Sequence, residues 1–195
     1  MSEFELKART PLGGVERTFD GLRIAEPAGV GIAAIAVPKD GESALAGAVR
    51  RAWQVEPPAV GRYVIGNGGL LLLGMAADQY FALLPHDGPD AGRAVGEALG
   101  AAAYVTEQSD AWAVLDIEGP RVRVALERIC PLDLHPDVFA ADMAQRTVME
   151  HLSVIVVRLE EDRFRLMSPS SSAVSFLHMV ETSARNIVPG GDDGA

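Results

Sequence analysis

Two stretches decide the fold: Asp78-Gln79-Tyr80-Phe81-Ala82-Leu83-Leu84-Pro85 and, in the second half of the chain, Asp162-Arg163-Phe164-Arg165-Leu166-Met167-Ser168-Pro169. Both open on Asp and close on Pro at the same spacing, both are extended and rich in apolar residues, and each precedes a helical segment (Asp90 to Leu99, and Ser172 to Arg185). The order upstream repeats as well. Ile32 to Val37 is a short apolar strand stopped by Pro38, followed by a helix over Glu42 to Trp53 and strands at Arg62 to Ile65 and Gly69 to Gly74. Its counterpart is a strand over Ala111 to Ile117 stopped by Gly119-Pro120, a helix over Arg121 to Ile129, and strands at Arg146 to Met149 and Val154 to Leu159. A self-similar order of this kind is the mark of an internal duplication, each half reading β-α-β-β-α.

Periodicity supports the helices. Val122, Ala125, Leu126 and Ile129 fall at i, i+3, i+4 and i+7, with Pro120 suited to the first turn and Pro131 ending the segment. Ala173, Phe176, Leu177, Val180 and Ala184 make a similar stripe, with Ser170 to Ser172 available as caps. Val154 to Val157 is β-branched, as a buried strand requires. Tyr104 to Thr106 and Ala111 to Leu115, joined through Glu107-Gln108-Ser109-Asp110, are expected to pair as a hairpin. The expected fold is therefore α+β, with two tandem units of the split β-α-β, ferredoxin-like kind at residues 29–108 and 109–188. Residues 1–28, punctuated by Pro11, Gly13, Gly14, Gly21 and Pro27, are expected to be an irregular arm. It would carry at most one short strand around Val15 to Phe19 and wrap a neighbour. Residues 189–195 are expected to be a disordered tail.

Across 195 residues, 17 Lys and Arg stand against 27 Asp and Glu, a net charge of −10. Such a field repels phosphate, which argues against a nucleic-acid partner. An apolar fraction of 48% with 23% charged residues excludes intrinsic disorder and implies a packed core. The lone cysteine, Cys130, rules out an intramolecular disulfide framework and a cysteine-rich zinc site, so a cytoplasmic location is expected. Met1 to Arg9 mixes Glu3, Glu5 and Lys7 without an apolar stretch, so no targeting signal is expected there. The longest apolar run, Leu70 to Leu73 leading into Gly74-Met75-Ala76-Ala77, is far short of the roughly 20 residues of a membrane span.

Several chemistry-bearing patterns have simpler structural readings. Gly29-Val30-Gly31-Ile32-Ala33-Ala34 matches a dinucleotide fingerprint, yet it leads into a strand instead of opening a helix, so a strand-opening turn is expected. Asn67-Gly68 supplies positive φ for a turn between Val64-Ile65 and Leu70-Leu71, and the two lysines, Lys7 and Lys39, cannot complete a phosphate loop. Cys130, Asp133 and His135 raise the question of a metal or a Cys/His nucleophile. However, His86, His151 and His178 offer no further ligand spacing, and a buried cysteine at a helix end is the simpler account. No Gly-x-Ser-x-Gly elbow occurs, Glu160-Glu161-Asp162 reads as a solvated turn, and Trp53 and Trp112 read as packing residues. The positive charge, carried by 15 Arg and only 2 Lys, is the composition suited to bidentate and interface contacts. Catalytic, cofactor-binding and metal-ligating residues are all expected to be absent.

The stretch from Val105 to Ala184 closely resembles the gamma subunit of heterotetrameric sarcosine oxidase. The residues that carry the resemblance are Gln108-Ser109-Asp110-Ala111-Trp112, Gly119-Pro120-Arg121, Cys130-Pro131-Leu132-Asp133-Leu134-His135-Pro136 with Phe139, and Arg146-Thr147 before His151. More distantly the same stretch is similar to the amino-terminal part of the glycine cleavage aminomethyltransferase, or T-protein. That likeness implies paired ferredoxin-like units. It also implies folate chemistry, but the acidic folate turn of that family is replaced here by Glu150-His151-Leu152-Ser153-Val154-Ile155. The gamma resemblance implies an accessory subunit without catalytic residues, in a complex that demethylates sarcosine to glycine with release of hydrogen peroxide and transfer of the one-carbon unit to tetrahydrofolate. FAD, FMN, NAD and tetrahydrofolate would be held by larger chains. The partners would be the alpha, beta and delta subunits, with alpha in direct contact. Ser109, Asp110, Trp112, Cys130, Pro131, Asp133, His135 and Phe139 are the motif or interface candidates, and Cys130 to Phe139 is the segment best placed to be a family-specific interface feature. The alternative is a free-standing tetrahydrofolate-dependent one-carbon protein.

Overall fold

A computed structural model describes residues 9–187. In chain order the elements are β1 (Glu16–Phe19), β2 (Leu22–Ala25), β3 (Val30–Ala36), α1 (Glu42–Trp53), β4 (Tyr63–Ile65), β5 (Leu71–Ala76), β6 (Gln79–Pro85), α2 (Ala91–Leu99) and β7 (Tyr104–Glu107), then β8 (Trp112–Glu118), α3 (Val122–Glu127), β9 (Ala144–Met149), β10 (Leu152–Glu160), β11 (Arg163–Pro169) and α4 (Ala173–Arg185). They divide into two compact units with boundaries at Gly14/Val15, Pro27/Ala28 and Ala111/Trp112, so that residues 15–27 belong with the second half. The expected tail, 189–195, and the first eight residues of the arm lie outside the described residues.

The first unit holds a five-stranded antiparallel sheet in the order β4-β5-β6-β3-β7. Leu45, Ala48, Val49 and Trp53 on α1 and Val95 and Leu99 on α2 bury against Ala33, Ile35, Leu72 and Ala82 of the sheet. This is the apolar stripe that helical spacing demands. The turn between β4 and β5 runs through Asn67–Gly69, and its positive φ falls on Gly68 (75°) and Gly69 (77°). Asn67 and Gly68 were the pair expected to carry that conformation.

The second unit holds a six-stranded antiparallel sheet in the order β1-β2-β8-β11-β10-β9. Val122, Ala125 and Leu126 of α3 and Ala173, Phe176, Val180 and Ala184 of α4 are buried, as the periodicity required, whereas Leu177 is half-buried and Ile129, also half-buried, lies past the end of α3 at Glu127. The duplication extends to individual hydrogen bonds. After β3 the Val37 N–H donates to the Asp78 carbonyl at 2.9 Å, and after β8 the Gly119 N–H donates to the Asp162 carbonyl at 2.9 Å. Both aspartates open the runs from which the fold was read. Each unit carries three strands between its helices, one more than β-α-β-β-α allows, because β4 and β9 add an outer strand to the pair that follows them.

Two expectations need correction. Tyr104–Glu107 and Trp112–Glu118 do not form a hairpin: β7 pairs with β3 in one sheet and β8 with β11 and β2 in the other. The Gln108 N–H donates to the Ile32 carbonyl at 2.8 Å, which ties the connection to the first sheet. Nor is the arm irregular where described, since Glu16–Phe19 and Leu22–Ala25 form an antiparallel pair around Gly21, at φ 68°. Leu22, Ile24 and Ala25 are buried, and β2 lies beside β8 with Ala25 opposite Asp116, Ile24 opposite Ile117 and Arg23 opposite Glu118. In the first unit β7 fills the same place beside β3, but it arrives from the C-terminal side of α2. After α4 the described chain supplies no such strand, and the segment ahead of both units supplies it instead.

Candidate functional site

Ser109 and Asp110 lie in a single turn at the end of the first unit, Ser109–Ala111. The Ser109 hydroxyl donates to Glu107 Oε1 at 2.6 Å and accepts the Ile32 N–H at 2.9 Å. Glu107 Oε1 also accepts the N–H of Ser109 at 3.0 Å and of Gln108 at 3.1 Å, while Oε2 accepts the Gly92 N–H at 2.6 Å in the first turn of α2. A side chain at Gly92 would start 2.9 Å from the Glu107 backbone nitrogen, so the helix can approach the strand this closely only with glycine there. Partial burial would raise the Glu107 carboxyl, but the Ser109 hydroxyl and the three N–H groups outweigh it and hold the acid below its usual range. The Ser109 hydroxyl directs its proton to the Glu107 carboxylate while it accepts the Ile32 N–H, so Ser109 is a buckle in this unit. Asp110 is exposed.

This geometry gives a pH prediction. A carboxyl depressed in the folded state contributes stability that is complete above its unfolded pKa and is lost as pH falls through the folded value. Glu107→Gln should therefore be less stable than the parent at neutral pH and converge on it as pH falls below about 4, near the ordinary glutamate value. Urea midpoints measured from pH 7 to pH 3 would show this, and a constant gap across that range would refute it.

Trp112 opens β8 opposite Pro169 and is half-buried. The Cys130 to Phe139 segment lies in the long connection from α3 to β9. Cys130 is buried, and burial pushes its thiol up, away from the thiolate a nucleophile or ligand needs. His135 faces the other way, its side chain 63% exposed, so the two do not form a pair. Asp133 Oδ1 accepts the His135 N–H at 2.9 Å, and His135 Nδ1 accepts the Asp137 N–H at 3.3 Å, two local turns in sequence. Pro131 is exposed, whereas Phe139 is buried and stacks on Phe164 with ring centroids 6.4 Å apart. Of the motif residues, Ser109 and Asp110 belong to the first unit, and Trp112 and the loop to the second.

Sequence reading missed the groups that hold these segments. Arg158, buried on β10, donates to the Phe139 carbonyl at 2.6 Å and the Pro136 carbonyl at 3.4 Å, and so fastens the loop from below. A register shift between Arg158 and Glu160 brings the Glu160 carbonyl within 3.3 Å of its Nε. On β8, buried Asp116 receives Arg165 through two bonds, 2.7 and 2.9 Å, and Arg163 through one at 3.2 Å. The hint was in the second run itself, where Arg163 and Arg165 alternate with Phe164 and Leu166 at strand spacing.

What the arrangement can do chemically follows from these contacts. The described residues include no group of three His, Cys, Asp or Glu side chains able to hold a metal ion. A groove of about 580 Å³ in the first unit is lined by Ser43, Ala44, Gly47 and Arg51 of α1 and by residues 99–102, with no carboxylate, imidazole or thiol to act as acid or base. The Gly29 stretch does not fit a dinucleotide, because β3 begins at Val30 and the space beside Gly31 is filled by Ala91 and His86, each within 2.8 Å of where a side chain at that position would begin. No described helix is long and apolar enough to cross a membrane. The prominent features of the motif segments are internal fastenings, with Pro131 and His135 exposed above the bond of Arg158 to the Phe139 carbonyl.

Comparison with known proteins agrees with the resemblance carried by the motifs. The chain is 28% identical over 111 residues to the sarcosine oxidase subunit gamma of Arthrobacter sp.. It is 30% identical over 123 residues to the subunit of the same name from Corynebacterium sp. (strain U-96). These alignments span 57% and 63% of this chain and 55% and 60% of the relatives. Among solved structures it superposes on a chain of heterotetrameric sarcosine oxidase from Corynebacterium sp. U-96 with a TM-score of 0.72, 26% identity and 84% of each chain covered. The glycine cleavage aminomethyltransferase T of Bartonella henselae shares the fold at 15% identity, with a TM-score of 0.64 over 91% of this chain and 58% of that one. No family model matches the chain.

Proposed function

We propose that this chain is the non-catalytic gamma subunit of a heterotetrameric sarcosine oxidase. Its task is to support assembly of a flavoenzyme that oxidatively demethylates sarcosine to glycine, with hydrogen peroxide released and the one-carbon unit passed to tetrahydrofolate. The observation that carries this reading is the superposition over 84% of both chains at 26% identity, with a TM-score of 0.72. FAD, FMN, NAD and tetrahydrofolate belong to the larger chains. The alpha, beta and delta subunits are the partners, alpha in direct contact. The finer fold reading belongs with it: setting aside the outer strands, β5-β6-β3-β7 and β10-β11-β8-β2 follow the strand order of a ferredoxin-like unit, the second completed by β2. The contact surface includes the crown of the Cys130 to Phe139 loop, where Pro131 and His135 are exposed over the Arg158 fastening.

The test is substitution on that crown. Pro131→Ala with His135→Ala should lower the fraction of this chain found in the co-expressed complex, while turnover per assembled complex stays at the parent level. Loss of sarcosine turnover in a fully assembled complex would overturn the non-catalytic reading.

A further inference from the structure

We infer that the open edge of β9 receives an extended, acidic segment of one of the larger subunits, which adds a seventh strand to the sheet of the second unit; this rests on the reading of the chain as a subunit. In the register of β9 with β10, Arg158 lies opposite Met143 and donates its N–H to the Met143 carbonyl at 3.0 Å. Bonded and unbonded pairs alternate along an antiparallel ladder, so Gln145, Thr147 and Met149 turn their backbone groups toward β10. Ala144, Arg146 and Val148 turn theirs away. The Ser153 carbonyl, opposite Val148, accepts the Ser168 hydroxyl from the β11 side, as that alternation requires. At six residues β9 is the longest outer strand of either sheet; β1, β4 and β7 have four, three and four. It has neither proline nor lysine, Val148 is 54% exposed, and its single charge is that of Arg146.

Charge selects the occupant. Strands of this chain carry six arginines, and Arg17, Arg23, Arg158, Arg163 and Arg165 are each held by a carboxylate or a carbonyl. Arg146 is exposed on the edge strand, and no hydrogen bond or ion pair engages its side chain among the described residues. A second copy of β9 bonded through the same outward groups with Arg146 at the two-fold axis would set Arg146 against Arg146, the like-charge opposition that sheets avoid. A carboxylate on an incoming strand removes that opposition, and backbone bonding through Ala144, Arg146 and Val148 supplies the remainder, as in other strand-addition complexes.

The experiment uses the complex formed on co-expression with the larger subunits. Arg146→Glu should cut incorporation about tenfold or more, Arg146→Lys should keep most of it, and Val148→Pro, which removes only an outward N–H, should cut it as Glu does. Backbone hydrogen exchange of the unaltered chain should show the amides of Ala144, Arg146 and Val148 protected in the complex and exchanging freely in the isolated chain. Assembly of the parent and both disruptive variants alike, or equal exchange in both states, overturns the edge proposal and leaves the subunit reading intact. A parent chain that joins no other chain overturns both, and protection of β9 in a dimer of this chain alone replaces the larger subunit by a second copy.

Discussion

Removal of residues 15–27, the segment that belongs with the second unit, should unfold that unit at temperatures where the first remains folded. The segment contributes β2, whose Leu22 and Ile24 are 3% and 0% exposed, and whose loss turns β8, the central strand of that sheet, into an edge. Two buried aliphatic side chains at about 1.5–3 kcal/mol each come to about 3–6 kcal/mol, a large part of the stability of a typical domain. The hairpin also carries Arg17, bound to Glu181 of α4 at 3.1 Å, and Gly21, whose carbonyl accepts the Arg121 N–H at the start of α3. Each unit has its own reporter, Trp53 in the first and Trp112 in the second. Single-tryptophan versions of the shortened chain should show early unfolding only through Trp112. One unchanged transition seen by both tryptophans would refute the role assigned to β2. Ile24→Ala in the full chain should act in the same direction at about 2–5 kcal/mol.

Asp116→Ala should be the most damaging polar substitution. The carboxylate is buried between two guanidinium groups, with Arg165 itself only 11% exposed in its side chain. Taking away the anion leaves that cation without its partner inside the sheet, a change that costs about 3–5 kcal/mol. The exposed pair of Arg50 with Glu56 is the natural comparison, because both side chains are more than 60% exposed and water screens the attraction between them. Urea midpoints of Asp116→Ala and Glu56→Ala should therefore differ severalfold in their displacement from the parent. Equal displacement would show that the buried cluster contributes little.

Much of this architecture was legible because it is written locally. The helix over Glu42 to Trp53 was read at the boundaries it has, since its apolar spacing and Pro38 mark both the face and the start. The two Asp-to-Pro runs revealed the duplication because each strand repeats with the turn that begins it. The failures occurred where distant segments decide. Four residues of alternating pattern in Leu22–Ala25 carry too little signal to name a strand, and only pairing with β8 makes them one. Local pattern likewise cannot say that Tyr104–Glu107 and Trp112–Glu118 serve different sheets.

The candidate site was legible in part for the same reason. Ser109, Cys130 and His135 stood out as chemical side chains, but their partners decide what they do. Glu107 meets Gly92 across 15 positions, and Arg158 meets Phe139 across 19. The sequence showed the decorated residues of each fastening and not the residue that holds it. Gly92, a small residue within a helix, was the one local trace of the first.

The central claim is that this chain works as the accessory subunit of a sarcosine-oxidising flavoenzyme, and the most direct measurement is its affinity purification from the native cell at near-physiological salt. Native mass, co-purifying chains, the visible flavin spectrum and sarcosine-dependent peroxide formation would be recorded on the same sample. The account predicts a yellow complex of four different chains that oxidises sarcosine. A colourless monomer that binds tetrahydrofolate would contradict it.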